Sequence, residues 1–359
     1  MPCLNAAEAL TDARPLKVGL VGCGGRGLGA MKNALDADPG TVVWALADVF
    51  RERIDFGSNL LTEQYGSRVQ LDKSRLFDGL DGYKKLLQTD IDVVLLCTPP
   101  AFRPEHLAAA IDAGKHIYAE KPVAVDVPGV LSVLESARLA KLKNLVILDG
   151  FCWRYDKANE EAHRKLSSGE LGRVLSFDGL YYTTPPKSPL ALDSRPSSDT
   201  DVAWALRNWT AWNWLSGGQF VEQIVHTIDG MVWSMNEQLP LAAFGSGGRA
   251  QRRDDGDVWD HYDVYFEYDH NVAAHISCRQ WVGCHGEIVD RTVCEKGMLV
   301  TPYRPHIQAD KRWRFRGERG NMYADTHVAF YRFLRSGTWK QTLESAANKT
   351  LVAIMGREA

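Results

Sequence analysis

A chain of 359 residues, 45% hydrophobic and 24% charged, holds enough material for two globular domains that each bury a core without staples. Its formal net charge of -3, with both signs mixed along the sequence, leaves no basic stripe for a phosphate backbone, and no apolar run approaches the roughly 20 residues that cross a bilayer. Neither nucleic acid nor a membrane is an expected partner.

The seven cysteines are odd in number and lack paired spacing, and Cys23, Cys97 and Cys278 sit in apolar settings that suit small buried thiols of a reducing compartment. Met1 to Pro15 carries charges and no apolar segment, so it reads as a tail rather than a secretory signal, and the cytoplasm is the expected location. Leu16 to Val21 is a short apolar run ending in Gly22-Cys23-Gly24-Gly25-Arg26-Gly27, after which Leu28, Met31 and Leu35 recur at helical spacing. This is strand, glycine turn, helix. A second apolar run, Thr41 to Ala47, stops at Asp48, and Arg51 to Gln64 is helix-like. Asp90 to Cys97 predicts a third strand, broken by Thr98-Pro99-Pro100; Pro104 opens a helix that Gly114 closes, and Lys115 to Ala119 begins the next strand. Asp126 caps a helix to about Lys143, and Asn144 to Asp149 is another strand. Such alternation calls for a doubly wound parallel sheet ending near residue 150.

Beyond Gly150 the stretches Val174 to Thr183, Trp259 to Tyr268 and Asn271 to Trp281 alternate with period two, which predicts antiparallel strands. Residues 184–201 are rich in Pro, Ser and Asp without periodicity and read as a loop covering the site; Trp204 to Trp214 leads into Gly217-Gly218 and a helix. Helical patterns around Asp325 to Arg335 and Leu343 to Met355 finish the chain. The expected division is a tail over 1–15, a dinucleotide-binding domain over 16–150 and an α+β substrate and oligomerisation domain over 151–359.

Three motifs carry chemistry. A pyrophosphate needs backbone N–H groups at a helix N-terminus with no side chain in the way, which is what Gly22, Gly24, Gly25 and Gly27 around Arg26 supply. Asp48, 21 residues past Gly27, stands where a carboxylate accepts ribose hydroxyls and repels a 2'-phosphate, favouring NAD over NADP, although Arg51 and Arg53 lie nearby. Second, Glu120-Lys121-Pro122 ends a parallel strand, where an ammonium faces the cofactor crevice and can hydrogen-bond a reacting oxygen or trade a proton. Third, Glu222, His226 and Asp229 fall at i, i+4 and i+7 of one predicted helix, with Phe220, Ile224, Ile228 and Val232 on another face. An imidazole beside a carboxylate suits removal of a hydroxyl proton; a half-buried structural network fits the same spacing. One histidine among acids is no convincing metal set, and no metal is expected.

A G-x-G-x-x-G turn, an Asp after the second strand, an E-K-P triplet and G-G-x-x-x-acid-x-x-x-H-x-x-D together resemble the Gfo/Idh/MocA oxidoreductase family over nearly the whole chain. Gly150 to Tyr155, Gly169 to Val174 and Ile354 to Ala359 are similar to its flanking segments. The resemblance implies an N-terminal Rossmann domain, a C-terminal domain on an open, mainly antiparallel sheet whose outer face makes homodimers or homotetramers, and NAD(P)-linked chemistry on sugars, inositols and cyclic polyols. It implies Lys121 as catalytic lysine, His226 as proton relay and Glu222 as the acid that orients it, with Thr98, Pro99 and Glu120 in the cofactor cradle. Glu222 stands where family dehydrogenases usually carry Asp, and the turn from Thr98 to His106 is longer than the commoner T-P-N-x-x-H, so His106 is read as a helix-face residue. Arg154, Tyr182 (or Tyr181), Trp209 and Asp229 are expected at the substrate. Two alternatives share these residues: an NAD-dependent glycoside hydrolase working by transient oxidation, and a non-catalytic NAD-sensing protein. Relatives commonly run a few turns past Ala359, so a trimmed C-terminus is also expected.

Overall fold

The computed structural model describes residues 14–186 and 190–359; residues 1–13 of the expected tail and 187–189 of the expected covering loop lie outside the described residues. The chain forms two compact units. One holds residues through Val123, Pro128–Cys152 and Asn321–Ala347; the other holds Ala124–Val127, Trp153–Gly320 and Asn348–Ala359.

In the first unit β1 (Leu16–Val21), α1 (Gly25–Ala37), β2 (Thr41–Asp48), α2 (Arg51–Tyr65), β3 (Leu76–Asp78), α3 (Gly82–Leu87), β4 (Val93–Leu96), α4 (Arg103–Asp112), β5 (His116–Ala119), α5 (Val127–Leu142) and β6 (Ile147–Asp149) follow one another. The sheet is parallel, in the order β3-β2-β1-β4-β5-β6, the doubly wound order with a switch point between β1 and β4. Helices on both faces explain why β4 is buried at every position and reads as an unbroken apolar run. The three-residue β3 and the short α3 carry too little periodicity to be seen in the sequence.

The second unit contains α6 (Lys157–Ser167), β7 (Val174–Thr183), α7 (Asp201–Arg207), α8 (Asn213–Ser216), α9 (Gly218–Glu222), α10 (Val225–Ser234), β8 (Ala242–Gly248), β9 (His261–Glu267), β10 (Ala273–Gln280), β11 (Glu287–Cys294), β12 (Gly297–Thr301), β13 (His306–Ala309) and β14 (Trp313–Arg314). Its sheet runs β14-β13-β12-β11-β7-β10-β9-β8. Every pair is antiparallel except β7 with β10, which is parallel and departs from the expectation. Period-two alternation reports that one face is covered; it does not report strand direction. Phe177, Gly179 and Tyr181 of β7 are buried on the face under α10, where a Cβ on Gly179 would lie 2.4 Å from Thr227 Cγ2.

The single helix expected after Gly217-Gly218 is two helices. Gln223 and Ile224 interrupt it: both amides donate to the Gln219 carbonyl, at 2.9 and 3.2 Å, the second closing an i to i+5 turn. Gln280 Nε2 donates to Gln223 Oε1 at 2.6 Å and ties this break to β10. Glu222 therefore ends one helix and His226 lies in the first turn of the next, so their spacing no longer places them on one straight face.

Two helices complete the chain, α11 (Met322–Ser336) and α12 (Leu343–Glu358). Asn321 caps α11, accepting the amides of Tyr323 and Ala324, and Gly337 ends it at positive φ. Although expected in the second domain, α11 packs on α1. Arg335 donates to both oxygens of Asp38 at 2.7 and 2.8 Å, and His327 stacks on Tyr118 at 4.1 Å.

Candidate active site

The glycine turn separates two requirements. Gly22 has φ +96 and its Cβ would lie 2.8 Å from the Cys97 backbone; a Cβ on Gly27 would lie 1.8 Å from Gly22 O. Those two are demanded by packing. Cβ atoms on Gly24 and Gly25 would meet nothing within 4 Å, so the space before the helix is open. The N-cap of α1 is Gly24, no side chain caps the helix, and its first turn has no acid. Its leading N–H groups and the positive end of its dipole are left for an anion.

Asp48 closes the turn from the other side. Its Oδ2 accepts the Cys23 amide at 2.8 Å and its Oδ1 accepts the Phe50 amide at 2.9 Å, with Arg53 Nη1 at 3.9 Å. Each carboxylate oxygen keeps a second lone pair for a ribose hydroxyl. Arg51 pairs with Asp55 at 2.9 Å.

Arg26 reaches across to Glu120, Nε to Oε1 at 2.7 Å, and its guanidinium lies 4.8 Å from the Tyr323 ring centroid. The helix start is thereby tied to the strand end from which Lys121 emerges. Sequence reasoning missed Arg103, the largest fully buried side chain; Nη1 donates to Leu96 O at 2.8 Å and Nη2 to Thr98 O at 2.7 Å, holding the Thr98-Pro99 turn. Nothing in the sequence distinguishes it from a surface arginine in a first helical turn. His106 is also support, not chemistry: burial, helped by the Arg103 charge, pushes its pKa down to about 3, and Nδ1 lies 3.2 Å from Thr98 Oγ1.

In the second unit His226, the second residue of α10, stacks on Trp153, centroids 5.0 Å apart and planes at 24°. Trp153 in turn stacks with Tyr181 at 6.4 Å and meets the Tyr303 edge at 5.9 Å. Arg154, one residue on, donates Nε to Asp229 Oδ1 at 2.8 Å and Nη1 to Glu237 Oε1 at 2.6 Å. Asp229 is 1% exposed and also receives Lys349 Nζ at 2.8 Å. Burial alone would raise its pKa; the Arg154 and Lys349 charges outweigh that and hold it below the usual carboxylate range. Arg154 and Asp229 thus form an internal ion network. Tyr182 faces the other side of the sheet, its hydroxyl 2.9 Å from Ser277 Oγ and its ring under the Arg279 guanidinium, because neighbours on a strand point oppositely. Trp153 is the indole that meets His226. Glu222 lines a narrow recess with Gln219, Arg252 and Gln280.

The pattern recurs among known proteins. Residues 16–147 match the family described as "Oxidoreductase family, NAD-binding Rossmann fold", and 159–323 match the Gfo/Idh/MocA C-terminal domain. The chain is 29% identical over 181 residues to dTDP-3,4-didehydro-2,6-dideoxy-alpha-D-glucose 3-reductase of Actinomadura kijaniata, covering 50% of this chain and 49% of that protein. It is 27% identical over 216 residues to inositol 2-dehydrogenase 2 of Saccharopolyspora erythraea, covering 59% and 57%. The chain thus spans about half the length of the curated relatives it matches. The solved structure of levoglucosan dehydrogenase in complex with NADH and levoglucosan shares its fold, with a TM-score of 0.73 at 21% identity over 96% of this chain and 97% of that one. With both domains matched in order, and with the two sheets those domains require, this chain belongs to the Gfo/Idh/MocA oxidoreductase family.

Proposed function

We propose that the chain transfers hydride between NAD and a ring hydroxyl of a sugar, inositol or related cyclic polyol. The uncapped start of α1, open at Gly24 and Gly25 and flanked by Asp48, carries the reading. A sugar-nucleotide reductase and an inositol dehydrogenase among the relatives support the substrate class. The N–H groups from Gly25 to Gly27 bind the pyrophosphate, the Thr98-Pro99 turn and Glu120 complete the cradle, and the spare lone pairs of Asp48 take the ribose hydroxyls. Its negative charge opposes a 2'-phosphate, which favours NAD over NADP.

When bound, the nicotinamide supplies the hydride acceptor in oxidation and the donor in reduction. Lys121 Nζ donates to the reacting oxygen and stabilises charge developing there. A ring nitrogen of His226 takes the hydroxyl proton in oxidation and returns it in reduction, and Glu222 is the carboxylate of that relay. Trp153, stacked on the imidazole, restrains its plane.

NADH absorbance with a panel of sugars, inositols and aryl glycosides tests the reading: NADH accumulates with a sugar or inositol, whereas aglycone release with no net NADH would replace it by redox-neutral glycoside cleavage. Lys121→Ala is expected to lower kcat by on the order of 10²-fold or more while NADH still titrates as in the wild type. An unchanged kcat removes Lys121 from the mechanism.

A further inference from the structure

The recess beside Glu222 contains polar atoms that the fold leaves without partners. Gln219, the second residue of α9, is 3% exposed, and among the described residues neither its Oε1 nor its Nε2 makes a hydrogen bond. Arg252, 9% exposed, spends Nε on Asp254 Oδ2 at 2.8 Å, while its Nη2 is buried and likewise unpartnered. Both side chains line the same recess as Glu222, and its volume is about 10 Å³. That is room for one water-sized group. Buried donors and acceptors without partners are rare in native proteins, because each keeps the cost of leaving water. Gln219 and Arg252, which carry these unpartnered atoms, line the recess together with the acid Glu222.

We infer that this recess holds a single hydroxyl of the substrate, and that Gln219 and Arg252 make the enzyme select a sugar or polyol hydroxylated at that position over its deoxy analogue. A hydroxyl matches the lining: its two lone pairs accept from Arg252 Nη2 and Gln219 Nε2, and its proton goes to Gln219 Oε1 or to Glu222. A methylene in its place leaves Arg252 Nη2 and both polar atoms of the Gln219 amide unpaired. A site built to hydrogen-bond a hydroxyl rejects the analogue lacking it far more strongly than an apolar pocket rejects a missing methyl. Before substrate binds, one water satisfies the recess, and the hydroxyl that displaces it reproduces its hydrogen bonds. The inference rests on the oxidoreductase reading and names the substrate feature that reading lacks.

The test compares kcat/KM for the best substrate of the panel with that for each of its monodeoxy analogues, in the wild type and in Gln219→Leu. Leucine has similar volume and no polar atom, so it removes the amide's donor and acceptor without opening a void, and a thermal midpoint close to that of the wild type shows that the variant folds. In the wild type, loss of one particular hydroxyl is expected to lower kcat/KM by on the order of 10²-fold or more. Gln219→Leu is expected to bring the parent substrate down toward that analogue while changing the analogue by less than about threefold. If no deoxy analogue loses more than about threefold, or if the variant slows parent and analogue alike, the recess holds only a structural water and the inference is overturned. Should no compound in the panel exchange hydride with NAD, the oxidoreductase reading itself fails. Thermal shifts with D-glucose and myo-inositol then decide the recess separately: a shift lost in Gln219→Leu supports it, and an equal or absent shift overturns it.

Discussion

Gly27 is where one methyl group is enough to disrupt the glycine turn. Its Cβ would overlap the carbonyl oxygen of Gly22, a backbone atom that cannot swing aside, so Gly27→Ala must open the turn. Fluorescence titration should show NADH affinity at least about tenfold weaker, with a lower thermal midpoint; an unchanged dissociation constant would mean that this turn does not hold the pyrophosphate. The glycines and Asp48 were legible because the motif is contiguous and its spacing is set by one strand-turn-helix unit. Arg103, Trp153, Gln219 and Arg252 were not, since what makes each special is a neighbour distant in sequence or an absent partner. Trp153 shows the limit: in the tight turn Cys152–Tyr155 no periodicity tells which side chain faces the core.

At the scale of elements, Asp229 of α10 joins three of them. It holds Arg154 from the turn after β6 and Lys349 from α12, all three largely out of water. Asp229→Asn leaves two cations without their shared counter-charge and is expected to cost about 3–5 kcal/mol in urea unfolding. Adding Lys349→Met should recover part of the loss; a full-strength Asp229→Asn protein would show that the network bears no stability. Helix α10 itself was foreseen, but not its separation from α9. That break follows from Gln223 turning to Gln280 on β10, a contact that helical spacing cannot announce. The parallel pairing of β7 with β10 was hidden for a similar reason: burial alternates identically in either direction.

Over the whole molecule, buried histidines set the response to acid. Burial pushes His106, His163 and His327 down to about 3 and His116 to about 4; the Arg103 charge adds to this at His106, Arg154 at His163 and Arg26 at His327. In the unfolded chain a histidine titrates near 6.5, so below that pH the unfolded state binds more protons. Their contribution is therefore complete above about pH 6.5 and is lost as pH falls toward the folded values. Asp290 works in the opposite sense, because burial raises its carboxyl and the folded state keeps a proton that the unfolded state releases. Four groups outweigh one, so the thermal midpoint should fall steadily from pH 6.5 to 4.5, and a flat profile would refute the assignment. His163→Phe, which keeps an aromatic ring against Trp233, should flatten the slope by about one proton, roughly 1.4 kcal/mol per pH unit. From sequence alone came the two-part architecture and the strand, glycine turn and helix that open it, because strand and helix periods and a contiguous glycine motif are local properties. Only the tertiary structure decided that residues 321–347 complete the first unit, that Arg154 and Asp229 pair with each other, and that Gln219 and Arg252 share a recess with Glu222. These depend on which distant side chains meet and which polar atoms are left unpaired, and neither is written in spacing along the chain.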